Sequence, residues 1–194
     1  MTQQPNLSAA DWSAIPSPID DHAMDHLRGT QLAAVALPAT DGSSVTLGAL
    51  HGRVVVYGYP MTGQPGVALP SGWDEIPGAR GCTPQSCAFR DHHAELAAAG
   101  ADAVYGLSTQ DTACQREAAM RLQLPFPLLS DAALALTTAA RLPTLEVADR
   151  TLLKRFALVL DDGVVSAVFY PVFPPDRNAG DVLTWLLAHP RAAK

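Results

Sequence analysis

Strand-like and helix-like patterns of apolar residues alternate along the chain. RVVVYGYP (residues 53–60) is continuously apolar and rich in β-branched residues, which is typical of a strand buried on both faces. ADAVYGLS (101–108) and PFPLLSD (125–131) predict two further strands. Apolar residues at helical spacing follow each of these strands, in PQSCAFRDHHAELAAAG, TQDTACQREAAMRLQL and AALALTTAARL.

Turn signals complete the predicted architecture. Asp41-Gly42 indicates an early hairpin, and Asp162-Gly163 joins two strands within LLKRFALVLDDGVVSAVFYPV. NAGDVLTWLLAH predicts a closing amphipathic helix with Asn178 as its N-cap. The alternation predicts an α/β protein with a central mixed β-sheet and helices on both faces, which is the plan of the thioredoxin-like fold.

The chain has the length of one domain. Its 194 residues, 48% hydrophobic and 16% charged, are typical of a globular protein. Residues 1–28 are polar and interrupted by prolines, and we interpret them as an irregular extension of a domain at 29–194. The domain contains an inserted Gly/Pro-rich loop at about 61–78, for which we predict a flap or interface role, with Trp73 exposed.

Charge and hydropathy argue against several partners. The formal net charge of −6 does not suit nucleic acid or an anionic membrane, since both require a basic face. No apolar run approaches the roughly 20 residues that span a bilayer, and the N-terminus lacks the features of a secretory signal. We therefore expect a cytoplasmic protein without nucleic-acid or membrane partners.

Reactive chemistry is concentrated in GCTPQSC (residues 81–87), where the long loop meets a predicted helix. Pro84 suits the first turn of a helix, so we expect Cys82 at or just before the helix N-terminus. Free N–H groups and the helix dipole favour a thiolate there, and the thiolate is the nucleophilic form of cysteine. Arg80 could add positive charge.

The residues alone leave other interpretations open. Cys82 and Cys87 also suit a packed core, because cysteine is among the most buried residue types. A zinc site would require a second cysteine pair or suitably spaced histidines, and a thioredoxin-like oxidoreductase would require C-x-x-C. The six histidines are better interpreted as solvated or packed side chains than as metal ligands.

GCTPQSCAFRD resembles the peroxiredoxin Q (bacterioferritin comigratory protein) branch of the peroxiredoxin family. The resemblance runs from about residue 29 to residue 188, and it implies a thiol peroxidase in which Cys82 attacks the peroxide. Arg155 resembles the family's activating arginine, with a surface ion pair to Asp161 as the alternative. Pro60 resembles the proline that shields the sulfur from water.

Two positions depart from the family pattern. Ala79 stands where relatives have a threonine that contacts the peroxide, and either Thr62 or Thr83 could supply the hydroxyl. Gln85 stands where many relatives have glutamate. The peroxide pocket is therefore expected to include Pro60 and Thr83 but to differ from that of the relatives.

The resemblance also implies that Cys87 resolves the Cys82 sulfenic acid. Residues five apart in an intact α-helix have Cα atoms about 8.6 Å apart. A disulfide requires roughly 4.4–6.8 Å, so we expect the helix start to unwind. Cys114, on the next predicted helix, is the alternative resolving cysteine.

The resemblance implies a reaction without metal or organic cofactors. The substrate would be hydrogen peroxide and/or an organic hydroperoxide, the reductant a thioredoxin-like or other dithiol, and the protein a monomer or homodimer. Two other functions stay open: a peroxide-sensing redox switch and a catalytically silent thioredoxin-fold interaction module.

Overall fold

Three β-sheets form the framework of the molecule, which a computed structural model describes for residues 12–191. The central sheet has five strands in the order β5-β4-β3-β8-β9; β3, β4 and β5 run parallel, and β8 and β9 are antiparallel to their neighbours. The hairpins β1-β2 and β6-β7 form the other two sheets. The strands are β1 (Ala36–Pro38), β2 (Ser44–Thr46), β3 (Arg53–Gly58), β4 (Ala103–Ser108), β5 (Leu128–Ser130), β6 (Thr144–Val147), β7 (Arg150–Leu153), β8 (Phe156–Asp161) and β9 (Val164–Phe169).

Helices connect and cover the central sheet. The helix predicted after the long loop is interrupted at His92, which separates α1 from α2. No helix among residues 12–191 is long and apolar enough to cross a membrane. The α-helices are α1 (Cys82–Asp91), α2 (His93–Ala98), α3 (Thr112–Arg121), α4 (Ala135–Ala139) and α5 (Asn178–Ala188).

Strand β3 lies at the centre of the core and is buried along its whole length, as its apolar run predicts. Val54 and Val56 belong to the core cluster that α4 covers. Val55 and Tyr57 face the cluster built with α1, α2, α3 and α5, and the Tyr57 ring stacks on Phe89 of α1 with ring centroids 4.3 Å apart. Helices therefore pack on both faces, and the predicted α/β fold class is confirmed.

Two local features differ from the sequence prediction. The apolar run before Asp162-Gly163 is not one strand, because it is divided at Lys154 and Arg155 between β7 and β8. Asn178 is not an N-cap: it has helical dihedral angles, φ −57° and ψ −42°, and follows a 3₁₀ turn at Pro175–Arg177. Its side chain is buried and faces the protein interior instead of capping the helix.

The N-terminal extension is described from residue 12 onward. It contains two short 3₁₀ turns, Trp12–Ala14 and Asp25–Leu27, and its end packs into the core through the buried Met24 and Leu27. The proposed division at residues 28 and 29 stays a prediction, and residues 1–11 lie outside the described range.

Candidate active site

Cys82 is the first residue of α1, as predicted from GCTPQSC. The chain enters the helix through Gly81, whose φ of +105° is in the left-handed region, and a Cβ there would lie 2.4 Å from Pro175. Only glycine is compatible with both the dihedral angle and the close approach. The backbone N–H of Gln85 donates to the Gly81 carbonyl at 3.0 Å and closes the first helical turn. Cys82 is 4% exposed.

Two donors point at the sulfur of Cys82. The Met61 amide and Arg155 Nη2 each lie 3.4 Å from Sγ, and the Ala79 carbonyl oxygen lies 3.6 Å from it. A backbone N–H and a guanidinium both stabilise a negative sulfur, and the guanidinium adds a full charge in a water-poor site. The arrangement is therefore suited to hold a thiolate.

Arg155 is held in place by the loop before α1. It is 2% exposed, and its Nη2 also donates to the carbonyls of Gly78, Ala79 and Arg80 at 3.0 to 3.2 Å. The alternative of a surface ion pair with Asp161 is wrong. That carboxylate pairs with Arg53 at the opposite end of β8.

Gln85 and Asn178 position Arg155 from the other side. Gln85 Oε1 accepts a hydrogen bond from Arg155 Nη1, and its Nε2 donates to Asn178 Oδ1 at 2.9 Å. All three side chains are buried. The sequence indicates Gln85 only as a departure from the family and Asn178 only as a helix N-cap, so neither is predicted to position Arg155. The available signal was the spacing from Cys82 to Gln85, three residues along one helix face.

Pro60 follows the end of β3 and is buried. Its carbonyl accepts a hydrogen bond from the Ser108 hydroxyl at 2.9 Å, which ties the end of β3 to the end of β4. The next residue, Met61, provides the amide that faces the Cys82 sulfur. Pro60 thus helps to place that donor, and its role as a shield stays a prediction.

The two threonine candidates have different positions. Thr83 lines a cavity together with Cys82. Thr62 lines a different cavity, and its hydroxyl donates to Gln110 Oε1 at 3.1 Å. Thr83 is therefore the better placed of the two to contact a peroxide, while Ala79 is fully buried and presents no hydroxyl.

The surroundings of Arg80 and Trp73 differ from those that the sequence predicts. Arg80 is half-exposed and pairs with Asp74 at 2.6 Å, so the positive charge at the sulfur comes from Arg155. Trp73 is 4% exposed, because it packs with Met61 and Ala79 in a small apolar cluster. The insertion is thus anchored by the residue that was predicted to be exposed.

All three cysteines are free thiols. Cys87 is half-buried on the same helix as Cys82, and burial raises its pKa. Burial also raises the pKa of Cys114, which lies on α3 and lines the cavity that contains Thr62. The insertion residues Met61, Gly63 and Gln64 line both this cavity and that of Cys82.

Within residues 12–191, no three His, Cys, Asp or Glu side chains come together as possible metal ligands. Two histidines have polar contacts with other groups: His26 Nε2 lies 3.0 Å from the Ala140 carbonyl, and His22 Nδ1 lies 3.2 Å from the Asp25 carboxylate. His93 packs beside the Phe126 ring.

Comparison with known proteins identifies the family. Residues 27–183 match the Redoxin family, so the chain belongs to it. It is 36% identical over 160 residues to the chloroplastic peroxiredoxin Q of Oryza sativa subsp. japonica, covering 80% of this chain and 64% of that protein. It is 33% identical over 161 residues to the chloroplastic peroxiredoxin Q of Sedum lineare, covering 82% of this chain and 77% of that protein. These relatives confirm the predicted peroxiredoxin Q branch.

Solved structures show the same fold. Peroxidoxin BcpB from Mycobacterium tuberculosis is 27% identical with a TM-score of 0.66, covering 85% of this chain and 98% of that one. Peroxiredoxin Q from Xanthomonas campestris, at 22% identity, has a TM-score of 0.61 and covers 92% and 100%. The thioredoxin-like assignment is therefore confirmed.

Proposed function

We propose that this protein is a thiol peroxidase that reduces hydrogen peroxide and/or organic hydroperoxides. The observation that carries the proposal is the position of Arg155, a buried cation 3.4 Å from the sulfur of Cys82. Within residues 12–191, no carboxylate forms an ion pair with Arg155. A buried cation without a carboxylate favours an anion beside it, and the Cys82 thiolate is placed to be that anion.

The first step forms a sulfenic acid. The Cys82 thiolate gives an electron pair to the terminal oxygen of the peroxide, the one that carries the hydrogen, so an S–O bond forms as the O–O bond breaks. The leaving hydroxide or alkoxide takes a proton and departs as water or alcohol. Arg155 stabilises the negative charge that develops on the oxygens.

The second step forms a disulfide. The Cys87 thiolate attacks the sulfenic sulfur, an S–S bond forms and hydroxide is released. The disulfide protects Cys82 from further oxidation. A thioredoxin-like or other dithiol then reduces the disulfide and is itself oxidised. Cys87 is the better candidate because it lies on α1 with Cys82, whereas Cys114 lies on α3 and lines an adjacent cavity whose walls do not include Cys82.

The remaining parts of the proposal concern setting and partners. The residues at the site provide nucleophile, activation and resolution without a cofactor. The net charge of −6 supports a protein without nucleic-acid or membrane partners, and a cytoplasmic setting suits three free thiols. A monomer or homodimer is consistent with the proposal.

Mass spectrometry after one equivalent of peroxide tests the mechanism. Wild type and Cys114→Ser are expected to form a Cys82–Cys87 disulfide with lost amide protection across residues 82–90. Cys87→Ser is expected to stop at the sulfenic acid. Cys82→Ser should consume no peroxide while keeping its fold, and normal turnover in that variant would refute the proposal. A wild type that is oxidised once but turns over slowly with a dithiol would indicate a redox sensor.

A further inference from the structure

A segment outside the matched family region contributes to the active site. Residues 12–21, which we call the strap, precede the family match at 27–183. The strap packs against the loop that leads into α1: a Cβ on Gly81 would lie 2.9 Å from the Trp12 ring, and one on Gly78 would lie 3.4 Å from Pro18. Trp12 also packs edge-to-face on Phe173 with ring centroids 6.2 Å apart.

The end of the strap is anchored by charge. Asp21 accepts hydrogen bonds from Lys154 Nζ and the Tyr170 hydroxyl, both at 2.6 Å. The hydrogen bond from Lys154 has the largest effect and that from Tyr170 the next, and together they lower the pKa of Asp21 to about 2. Lys154 is the neighbour of Arg155 in sequence, so the strap is anchored beside the residue that activates the thiol.

The strap forms one wall of a cavity of about 720 Å³ at Cys82. Trp12 and Ile15 line it from the strap. The insertion provides further apolar walls, which are Met61, Val67, Leu69 and Trp73.

This cavity is larger and more apolar than hydrogen peroxide, the smallest peroxide, requires. Hydrogen peroxide is about as large as two water molecules, each of which occupies about 30 Å³ in the liquid. Cavities of roughly 300 to 1,000 Å³ with mainly apolar walls are typical of sites for larger organic ligands. The polar side chains are few, and one of them, Arg80, is paired with Asp74.

We propose that Trp12 and Ile15 of the strap, which lie outside the matched family region, are specificity-determining residues that favour hydroperoxides with a bulky apolar group over hydrogen peroxide. The inference rests on the proposed peroxidase function. The hydroperoxide group meets Cys82 and Thr83, and the apolar group lies between the strap and the insertion. Sulfur attacks the terminal oxygen, the O–O bond breaks, and the bulky fragment leaves as an alkoxide that is protonated to the alcohol. The alcohol product then leaves the cavity.

The test compares two peroxides on the full chain. The second-order rate constant for Cys82 oxidation is measured with hydrogen peroxide and with cumene hydroperoxide, in wild type, Trp12→Ala and Ile15→Ala. Ile19→Ala is the matched control, because Ile19 is on the same strap but is 86% exposed and does not line the cavity. The cumene-to-hydrogen-peroxide ratio should fall about tenfold in Trp12→Ala and less in Ile15→Ala, since apolar pockets discriminate on this scale. In Ile19→Ala both rate constants should stay as in wild type.

A second measurement does not depend on turnover. Titration of Cys82→Ser with 2-phenylpropan-2-ol, the alcohol product, should quench tryptophan fluorescence to saturation, and adding Trp12→Ala should weaken that binding. Unchanged ratios in both Trp12→Ala and Ile15→Ala would overturn the inference, as would substitutions that slow only reduction by a dithiol protein, because the cavity would then bind the reductant. A wild type that reduces neither peroxide would instead refute the peroxidase function itself.

Discussion

Two buried arginines lie near opposite ends of the antiparallel pair β3-β8, and they differ in what surrounds their charge. Arg53, at the start of β3, donates from Nε and Nη2 to the two oxygens of Asp161 at 2.7 and 2.9 Å. Its guanidinium also lies over the Trp185 ring, 5.4 Å from the centroid. Arg155, just before β8, has only carbonyls, an amide oxygen and a thiol as acceptors, and its Nε has no partner within residues 12–191.

The contrast separates a structural arginine from a reactive one. A charge that is paired with a carboxylate joins two strands and is already compensated. A charge that is held by neutral dipoles is oriented yet uncompensated, so it stabilises a nearby group that becomes anionic. In this chain neutral Gln85 holds Arg155 without compensating its charge, so the charge of Arg155 acts on the Cys82 sulfur beside it.

Removing the reactive charge should have the largest effect. We expect Arg155→Met to slow single-turnover oxidation of Cys82 by roughly 10²- to 10³-fold, as for loss of one preorganised donor to a transition-state oxyanion. Arg155→Lys should also be slower, by at least about tenfold, because a point charge cannot reproduce the fork of the guanidinium. Stopped-flow measurement with hydrogen peroxide gives both rates. An oxidation rate in Arg155→Met equal to that of wild type would assign activation to another residue.

Removing the paired charge should affect stability instead. Arg53→Met removes the cation paired with Asp161, and we expect a loss of about 3 kcal/mol in the free energy of unfolding. This is the low end for a buried ion pair, because the Asp161 side chain is 29% exposed. Urea denaturation measures the loss, and the rate of Cys82 oxidation should match that of wild type. A slower oxidation at unchanged stability would show that the two ends are not independent.

Giving Arg155 a carboxylate should make it resemble Arg53. In Gln85→Glu the new carboxylate lies beside the guanidinium and compensates its charge, so alkylation of Cys82 by iodoacetamide at neutral pH should slow about tenfold. The Asn178 amide can turn to offer its Nδ2, which has no partner in the described structure, to the carboxylate. Gln123→Glu, at an exposed position, adds the same charge and serves as the control. Equal rates in the two variants would remove charge compensation as the distinguishing feature.

How far the sequence predicts this site depends on the distance along the chain between the interacting residues. The position of Cys82 follows from local signals, since Gly81, Pro84 and the helix pattern lie within a few residues of it. The hairpin at Asp162-Gly163 is predictable for the same reason. The Arg155–Gln85 and Gln85–Asn178 hydrogen bonds join residues 70 and 93 positions apart. No periodicity in one sequence encodes such pairs.

The burial of side chains in the insertion and the strap is also not predictable from the sequence. Trp73 was expected to be exposed because its neighbours are glycine, proline and acidic residues. Its burial depends on Met61, on the far side of the insertion, and on Leu152. The strap is interrupted by prolines and has no helical or strand periodicity, so its packing against Gly78 and Gly81 is visible only in three dimensions.

The two ends also differ in what must move, which leads to the smallest expected effect. No step of the proposed reaction requires the Arg53 end to move, whereas α1 has to open for Cys87 to reach Cys82. Glycine within a helix costs about 1 kcal/mol relative to alanine, equivalent to roughly fivefold in an opening equilibrium. We therefore expect Ala88→Gly, within α1, to speed disulfide formation about fivefold. Ala94→Gly, within α2, carries a similar helix penalty away from the opening segment and should have no effect.

The pH dependence of the same step adds an independent check. Attack requires the Cys87 thiolate, and burial in closed α1 raises the pKa of this thiol above its ordinary value. While closed α1 predominates, the rate of disulfide formation should keep rising with pH beyond the ordinary thiol range. The loosened helix of Ala88→Gly exposes Cys87 more often, so its profile should level off at lower pH than that of wild type. Rapid-quench mass spectrometry across pH measures both curves. Identical curves in the two variants would show that α1 opening does not precede attack, and would favour a resolving thiol outside this helix.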